Sequence, residues 1–330
     1  MRKIGILGAG TWGTALAIML AQNENHVTLW SALQDELDAL KANYTHPNLK
    51  DAVIPKSITF TNDISDVCTD KDILLFAVAS PYIRTTAEKA SHYIKDGQII
   101  VDAAKGLEND TMFTMSQVIK DAVKKDIIVV ALSVPTNAEE VALGLPTTVV
   151  AACSNSDAAK QVQNIFMNTC MRVYTNDDIL GVELCGALKN IIALACGIST
   201  GLGFGDNAKA AIITRGIAEM SRLGMAMNCD KMTFAGLAGL GDLIVTATSR
   251  HSRNNRAGFL IGSGYTAEEA IQKVGMVVEG VHAIPCALKL AKRYNVDMPI
   301  ITTVHKTING ELTPNEAVSF LMNREKKSEK

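Results

Sequence analysis

The chain has 330 residues, enough for two domains, and its formal net charge of −2 does not suggest nucleic acid or an anionic membrane surface as a partner. Seven cysteines without a CxxC pair argue against a disulfide framework and fit a reducing cytoplasm. The six histidines lack the spacing of a metal site, and no run of about 18 apolar residues indicates a membrane-spanning helix.

The N-terminal segment "KIGILGAGTWGTALA" (residues 3–17) joins an apolar run to three glycines at GxGxxG spacing. It is either a cleaved signal peptide or the phosphate-binding turn of a dinucleotide fold. The glycines interrupt the apolar stretch and no clean cleavage site follows, which favours the second interpretation. In such a turn Gly8 permits the tight bend, Gly10 lets a pyrophosphate approach the backbone, and Gly13 lets helix and strand pack closely.

The hydrophobic pattern predicts strands first and helices later. A strand, a helix and a strand over residues 3–30 are followed by predicted strands at 57–61, 72–79, 97–106, 126–134, 146–153 and 171–176. Their near-continuous apolar runs are typical of parallel strands buried on both faces. Beyond about residue 180 we predict only helices, at 178–200, 207–226, 254–261, 266–274, 279–294 and 314–323.

These patterns predict an α/β fold in two parts. Residues 1–180 form an N-terminal doubly wound, Rossmann-like domain that binds a dinucleotide. Residues 181–330 form an all-helical C-terminal domain for substrate and catalysis. Ligands of open parallel sheets bind beyond the carboxyl ends of the strands, where Lys105 follows one strand. Lys105 is either a donor to a substrate anion or an ordinary surface lysine, and its position favours neither.

Lys189 lies in the middle of the apolar helix "DILGVELCGALKNIIALACGISTGL" (residues 178–202). Its neighbours at helical spacing are small: Cys185, Gly186, Ala193, Cys196, Gly197 and Thr200. Burial lowers the pKa of a lysine, which is how a lysine becomes a general base near neutral pH. The other interpretation is a lysine that reaches solvent with its stem on the core. The small neighbours favour the first.

Two further features follow in the helical region. Asp242, after a glycine-rich stretch, is either the partner of Lys189 or a helix cap. The segment "SRHSRNNR" (residues 249–256) is either a phosphate site at a helix start capped by Ser252 or a solvated basic helix end. His251 is a rival general base, for which a surface position is the simpler account.

Five stretches together resemble the bacterial NAD(P)-dependent glycerol-3-phosphate dehydrogenases. They are residues 8–17, 103–108, 181–203, 236–258 and 277–284, in the same order along nearly the whole chain. The resemblance implies an oxidoreductase that interconverts sn-glycerol 3-phosphate and dihydroxyacetone phosphate by hydride transfer with NAD or NADP, without a metal. It also implies a cytoplasmic homodimer that supplies glycerol 3-phosphate for phospholipid synthesis.

The resemblance also implies residue roles. Lys189 accepts the proton of the C2 hydroxyl during oxidation and returns it during reduction. The substrate is held by Lys105, Val134, Thr136, Asp242, Ser252, Arg253 and Asn254, of which the last three grip the phosphate. The cofactor is bound by Gly8, Gly10, Thr11, Trp12, Gly13, Lys105, Ala138, Arg253, Val277 and Glu279.

The chain departs from the family pattern after the fourth strong strand. The family usually has "SGPSFAEEVA" where residues 133–142 are "SVPTNAEEVA". Val134 replaces a glycine whose backbone faces the substrate, Thr136 replaces serine and keeps the hydroxyl, and Asn137 replaces phenylalanine. These changes leave open a catalytically silent dinucleotide-binding sensor. Another alternative is a hydroxy-acid dehydrogenase of the same two-domain type, which Lys189 fits but the phosphate cluster does not.

A second departure lies at the end of the second strand. Residues 30–32, Trp-Ser-Ala, contain neither the acid expected for the ribose of NAD nor the arginine common in this family for the phosphate of NADP. The sequence therefore predicts that NADH and NADPH both work, with kcat/KM values within roughly 100-fold of each other.

Overall fold

The computed structural model describes residues 1–133, 137–249, 251–326 and 328–329. The chain divides into two compact units. The sheet unit contains Met1–Glu108 and Phe113–Glu183, and the helical unit contains Asn109–Met112 and Leu184–Lys330.

The sheet unit is built on one eight-stranded sheet. Its strands are β1 Lys3–Leu7, β2 His26–Trp30, β3 Thr59–Thr61, β4 Ile73–Phe76, β5 Ile99–Asp102, β6 Ile128–Ser133, β7 Thr147–Ala152 and β8 Met171–Asn176. They lie in the order β3-β2-β1-β4-β5-β6-β7-β8. The first six have the order of a dinucleotide-binding sheet, which confirms the predicted α/β class.

The prediction of parallel strands is wrong at one pair. β7 runs antiparallel to β6, whereas every other neighbouring pair is parallel. In the described part of the connection between them, residues 137–146, the only helix is the five-residue α6, Ala138–Ala142. Such a helix is about 8 Å long, too short to return the chain along a strand of about 20 Å. An apolar run predicts a buried strand but does not define its direction.

Six further helices of this unit cover the sheet: α1 Thr11–Gln22, α2 Gln34–Asn43, α3 Ile64–Cys68, α4 Ile83–Ala90, α5 Met115–Val123 and α7 Ser156–Phe166. Alternate strand residues enter two different cores. Ile6 and Leu75 belong to one core, and Leu7 and Phe76 belong to the other. Both faces of the sheet are therefore buried, as the apolar runs predicted.

The helical unit contains most of a long helix, α8 Ile179–Gly201, whose first residues belong to the sheet unit. It continues with α9 Asp206–Ala226, α10 Lys231–Ala235, a π-helical segment Leu237–Gly241, α11 Asp242–Thr248, α12 Arg253–Gly262, α13 Ala267–Val274, α14 Glu279–Arg293, α15 Pro299–Ile308 and α16 Pro314–Met322. Past Asn176, the part of the chain that the structure describes has no strand, as predicted. The sequence analysis did not predict α10, α11 or α15, and the β-branched residues of α15 favour strands.

Helices α8 and α12 cross with their backbones in contact. A Cβ atom on Gly258 of α12 would lie 2.1 Å from the carbonyl oxygen of Leu194 on α8. A Cβ atom on Gly197 of α8 would lie 2.2 Å from the carbonyl oxygen of Asn255. The small side chains noted beside Lys189 therefore admit a second helix, and they fix the start of α12 against α8.

Helix α8 is long and apolar enough to cross a membrane by length and composition alone, although it contains no unbroken run of about 18 apolar residues. Within its apolar 18-residue window, 83% is buried inside the protein. This burial is what the core helix of a globular unit shows.

Candidate active site

The three glycines after β1 have three different surroundings. Gly8 has a φ of 121°, and a Cβ there would lie 2.8 Å from the backbone carbon of Ala77. A Cβ on Gly13 would lie 1.9 Å from the carbonyl oxygen of Gly8, so helix and strand need this glycine to pack. At Gly10 a Cβ would meet no atom of the described residues within 4 Å. Packing within the described part of the chain therefore does not require a glycine at this position, which is consistent with a turn that a ligand approaches.

The start of α1 is suited to an anion. Gly10 is the N-cap residue, no side chain caps the helix, and its first turn has no acidic residue. Thr11 and Trp12 in that turn are half-buried, and the Asn48 amide donates to the Thr11 hydroxyl at 3.0 Å. β1 lies between β2 and β4, where the strand order reverses and where such sheets bind ligands. The turn therefore fits the pyrophosphate of a dinucleotide.

Lys189 is buried in the helical unit with 4% of its surface exposed. Its Nζ donates to the carboxylate of Asp242, and to the hydroxyl of Thr246 at 2.6 Å. The Thr246 hydroxyl in turn donates to the backbone carbonyl of Asp242 at 2.7 Å. The predicted pairing of Lys189 with Asp242 is confirmed. Thr246 was missed, although it lies four residues after Asp242 on the same helix and therefore on the same face.

A distorted helical turn carries Asp242 to this position. The π-helical segment ends at Gly241, which is the N-cap of α11, and Asp242 is the first residue of that helix. A Cβ on Gly239 would lie 2.1 Å from the carbonyl oxygen of Phe234, so the tight turn needs a glycine there. The capping interpretation of Asp242 is wrong, because its side chain is buried on Lys189.

The helix start predicted at Ser252 is also confirmed. The Ser252 hydroxyl accepts the N–H of Asn255 at 3.2 Å and caps α12, which begins at Arg253. Arg253 is half-buried, whereas the rival base His251 is exposed. The first turn of α12 thus combines a guanidinium with the positive end of a helix.

Asn254 connects three helices through its side chain. Its amide donates to the side-chain oxygen of Asn190 on α8 at 3.0 Å, and its own oxygen accepts the N–H of Gly280 on α14 at 2.8 Å. The amide and the oxygen of Asn254 thus both take part in contacts within the protein, and the sequence gave no sign of Asn190 as a partner.

The loop that carries Lys105 is held at both ends inside the sheet unit. At one end, Asp102 accepts the N–H of Ala104 at 3.0 Å. At the other, Arg84 donates to both oxygens of Glu108 at 2.7 and 2.8 Å, a bidentate ion pair. Lys105 itself is half-buried. The loop is thus fixed by side chains that the sequence analysis did not single out.

Asp102 also belongs to a buried pair of carboxyl groups. Burial, and after it the charge of Glu183, raises the pKa of Asp102 well above its usual range. Glu183 accepts hydrogen bonds from the N–H and hydroxyl of Ser116, at 2.7 and 2.6 Å, and from the Thr114 hydroxyl at 2.8 Å. Burial raises the pKa of Glu183 as well, but these donors oppose that rise, so Asp102 is the member of the pair that holds a proton more readily.

The other predicted residues belong to both units. Ala138 starts α6, Val277 lies half-buried before α14, and Glu279 starts α14 with 8% of its surface exposed. Val134 and Thr136 lie outside the described residues. Within the described ranges no group of histidine, cysteine or acidic side chains is arranged to hold a metal ion.

A sheet of this order with a glycine turn, followed by a helical unit with a buried lysine, defines the class of two-domain nicotinamide-dependent oxidoreductases. Two family models match the chain: NAD-dependent glycerol-3-phosphate dehydrogenase N-terminus over residues 3–159, and the C-terminus of the same family over residues 178–319. The chain belongs to the NAD-dependent glycerol-3-phosphate dehydrogenase family.

Proteins that carry the name of this enzyme are similar to the chain over nearly its full length. A glycerol-3-phosphate dehydrogenase [NAD(P)+] of Lactobacillus delbrueckii subsp. bulgaricus is 57% identical over 100% of this chain and 99% of its own length. One from Agathobacter rectalis is 49% identical over 100% and 98%. The crystal structure of glycerol-3-phosphate dehydrogenase from Coxiella burnetii matches with a TM-score of 0.93 and 36% identity, over 98% of this chain and 99% of that one.

Proposed function

We propose that this chain interconverts sn-glycerol 3-phosphate and dihydroxyacetone phosphate with NAD(H) or NADP(H), in the cytoplasm, and so supplies glycerol 3-phosphate for phospholipid synthesis. The observation that carries the proposal is the buried cluster of Lys189, Asp242 and Thr246, because reduction of a ketone needs a proton donor at the oxygen. Membership of the family supports it, since the relatives from L. delbrueckii and A. rectalis carry this activity in their names.

A bound nicotinamide supplies the hydride in reduction and accepts it in oxidation. Lys189 serves the oxygen on C2. The carboxylate of Asp242 stabilises its ammonium form, which donates a proton to the ketone oxygen of dihydroxyacetone phosphate. In the opposite direction Lys189 accepts the proton of the C2 hydroxyl. Thr246 fixes the direction of Nζ, and burial of the cluster keeps water from competing for the proton.

The substrate phosphate is held at the start of α12. Arg253 offers a planar fork of N–H groups, and the first turn of the helix adds backbone donors, including the N–H of Asn254. Ser252 contributes its hydroxyl, and Lys105, Val134 and Thr136 complete the substrate contacts.

The dinucleotide is held mainly by residues 1–180, on the glycine turn and the start of α1. Gly8, Gly10, Thr11, Trp12, Gly13, Lys105, Ala138, Arg253, Val277 and Glu279 are its proposed contacts. Residues 181–330 bind the substrate and carry the catalytic lysine. We propose a homodimer as the working form, on the family resemblance alone.

The test is oxidation of the reduced nicotinamide, followed by absorbance, with purified protein and dihydroxyacetone phosphate. Turnover that requires this substrate supports the proposal. Binding of the dinucleotide without turnover would instead indicate a catalytically silent sensor. Turnover with small 2-keto acids but not with dihydroxyacetone phosphate would indicate a hydroxy-acid dehydrogenase.

A further inference from the structure

A carboxylate reaches the end of β2 from the next helix. Ser31 directly follows β2 and is buried, with 5% of its surface exposed. Its hydroxyl donates to the carboxylate of Glu36, in the first turn of α2, and accepts the N–H of Leu33 at 3.1 Å. Residues 30–32 contain no acid, but the hydrogen bond from Ser31 holds the carboxylate of Glu36 at the end of β2.

The end of β2 is joined to the glycine turn. β2 pairs with β1 along its length, with Trp30 opposite Leu7, and the N–H of Gly8 donates to the carbonyl of Trp30 at 2.9 Å. In dinucleotide-binding sheets an acid at the end of the second strand binds the ribose hydroxyl that carries the extra phosphate in NADP. Glu36 therefore lies at the end of β2, where such folds bind the ribose that distinguishes NAD from NADP.

The charge of Glu36 is not neutralised by its surroundings. In the described part of the chain no lysine or arginine forms an ion pair with it. His46 lies within electrostatic range of both Glu36 and Glu139, but burial lowers the pKa of His46, which is thus uncharged near neutral pH. The hydroxyl proton of Ser31 is already donated to Glu36, so Ser31 has no second proton for a phosphate oxygen.

We propose that Glu36 is the residue by which this protein distinguishes the two cofactors, and that it favours NADH over NADPH. Its carboxylate repels the 2′-phosphate, which carries about −1.5 to −2 charges near pH 7. It accepts a hydrogen bond from the 2′-hydroxyl of NADH. The proposal rests on the dinucleotide site of the proposed function. The sequence alone predicted kcat/KM values for NADH and NADPH within roughly 100-fold of each other, and Glu36 adds that NADH is the preferred cofactor.

The test is isothermal titration of the purified full chain with NADH and with NADPH, which needs no turnover. For the unmodified protein we expect NADPH to bind about tenfold more weakly at low salt, as one partly screened charge would cause. Glu36→Gln keeps an acceptor for Ser31 and removes the charge, so the ratio of the two Kd values should approach one. High salt should reduce the ratio in the unmodified protein and leave it unchanged in Glu36→Gln.

Asp38→Asn is the matched control. Asp38 lies on the same helix, is exposed, and accepts from Gln34 rather than from Ser31. Its replacement should leave the ratio within about threefold of the unmodified protein, because exposed charges are screened.

Two results would overturn the proposal: NADPH binding as tightly as NADH to the unmodified protein, or an NADH preference that survives Glu36→Gln. A selective protein that fails to reduce dihydroxyacetone phosphate would leave this inference standing and remove the proposed function. If neither dinucleotide binds, both are wrong.

Discussion

Lys189 and Asp242, which are 53 residues apart in the sequence, join their side chains in the interior of the helical unit. Their side chains are 6% and 0% exposed. A buried charge pair of this kind is costly unless further hydrogen bonds complete it, and removing one member leaves the other uncompensated. We expect the pair to serve the proposed reaction by holding Lys189, its proton donor, at one point.

Thr246→Val tests the third member of the cluster. The change keeps the shape but removes the hydroxyl that accepts from Lys189 and donates to the carbonyl of Asp242. We expect a loss of about 1–3 kcal/mol in the free energy of unfolding and a lower kcat. The control is Thr248→Val on the same helix, because Thr248 is exposed and makes the same type of bond to the carbonyl of Ile244. Equal effects on kcat in both variants would contradict a role for Thr246 in orienting Lys189.

Arg253→Ala tests recognition of the phosphate. Losing one partner of a desolvated charge pair costs about 2–5 kcal/mol, so kcat/KM for dihydroxyacetone phosphate should fall steeply. The slower reaction with unphosphorylated dihydroxyacetone should change far less, provided that the cofactor is saturating in both assays. Arg256→Ala is the control, since Arg256 is exposed on the same helix. A fall by the same factor with both substrates would show that Arg253 is not the phosphate anchor.

Gly258→Ala tests the crossing of α8 and α12. The new Cβ would lie 2.1 Å from the carbonyl oxygen of Leu194, so the two helices must separate. We expect destabilisation of about 1–3 kcal/mol, with a loss of activity because Arg253 moves with its helix. Gly205→Ala has open space around the new atom and should cost less than about 1 kcal/mol. Urea unfolding of the two variants makes the comparison, and equal midpoints would contradict the close crossing.

Glu219 is expected to give stability a specific dependence on pH. Its oxygens accept the N–H groups of Ile300 and Ile301 at 2.8 and 3.4 Å, and burial raises its pKa from 4.5 to about 7. The folded state therefore holds this proton more tightly than the unfolded state. The resulting stability is fully present below about pH 4.5 and is lost as the pH rises through about 7.

The shift corresponds to about 3 kcal/mol, which Glu219→Gln should remove. The measurement is the difference in unfolding free energy between the unmodified protein and Glu219→Gln, from pH 5 to pH 8. We expect this difference to change by most of that amount, with the unmodified protein losing stability relative to the variant as the pH rises. Glu88→Gln, at an exposed glutamate, should show no such trend. A constant difference for Glu219→Gln would contradict the account.

Features set by local sequence were predictable. The glycine turn after β1, the apolar strands and the lysine in the middle of α8 follow from spacing and periodicity within short windows. The start of α12 followed from Ser252, because a cap acts over three residues.

Features set by tertiary contact were not predictable. The direction of β7 depends on the shortness of α6, and the partners Thr246 and Asn190 depend on how helices cross. Glu36 lies five residues after Ser31, beyond the three positions at the end of β2 where an acid was sought. In each case the sequence shows the residue, but its neighbour in space is determined by the tertiary structure and could not be predicted.

The most direct test of the central claim is the turnover of Lys189→Ala with dihydroxyacetone phosphate, together with its Kd for the dinucleotide. General acid–base assistance is worth about 10²–10⁴-fold, so kcat should fall by that factor while dinucleotide binding stays nearly intact. Lys292→Ala, at an exposed lysine, should leave both unchanged, and a thermal unfolding curve shows whether Lys189→Ala is folded. A folded Lys189→Ala protein that keeps more than about a tenth of the kcat would contradict the account.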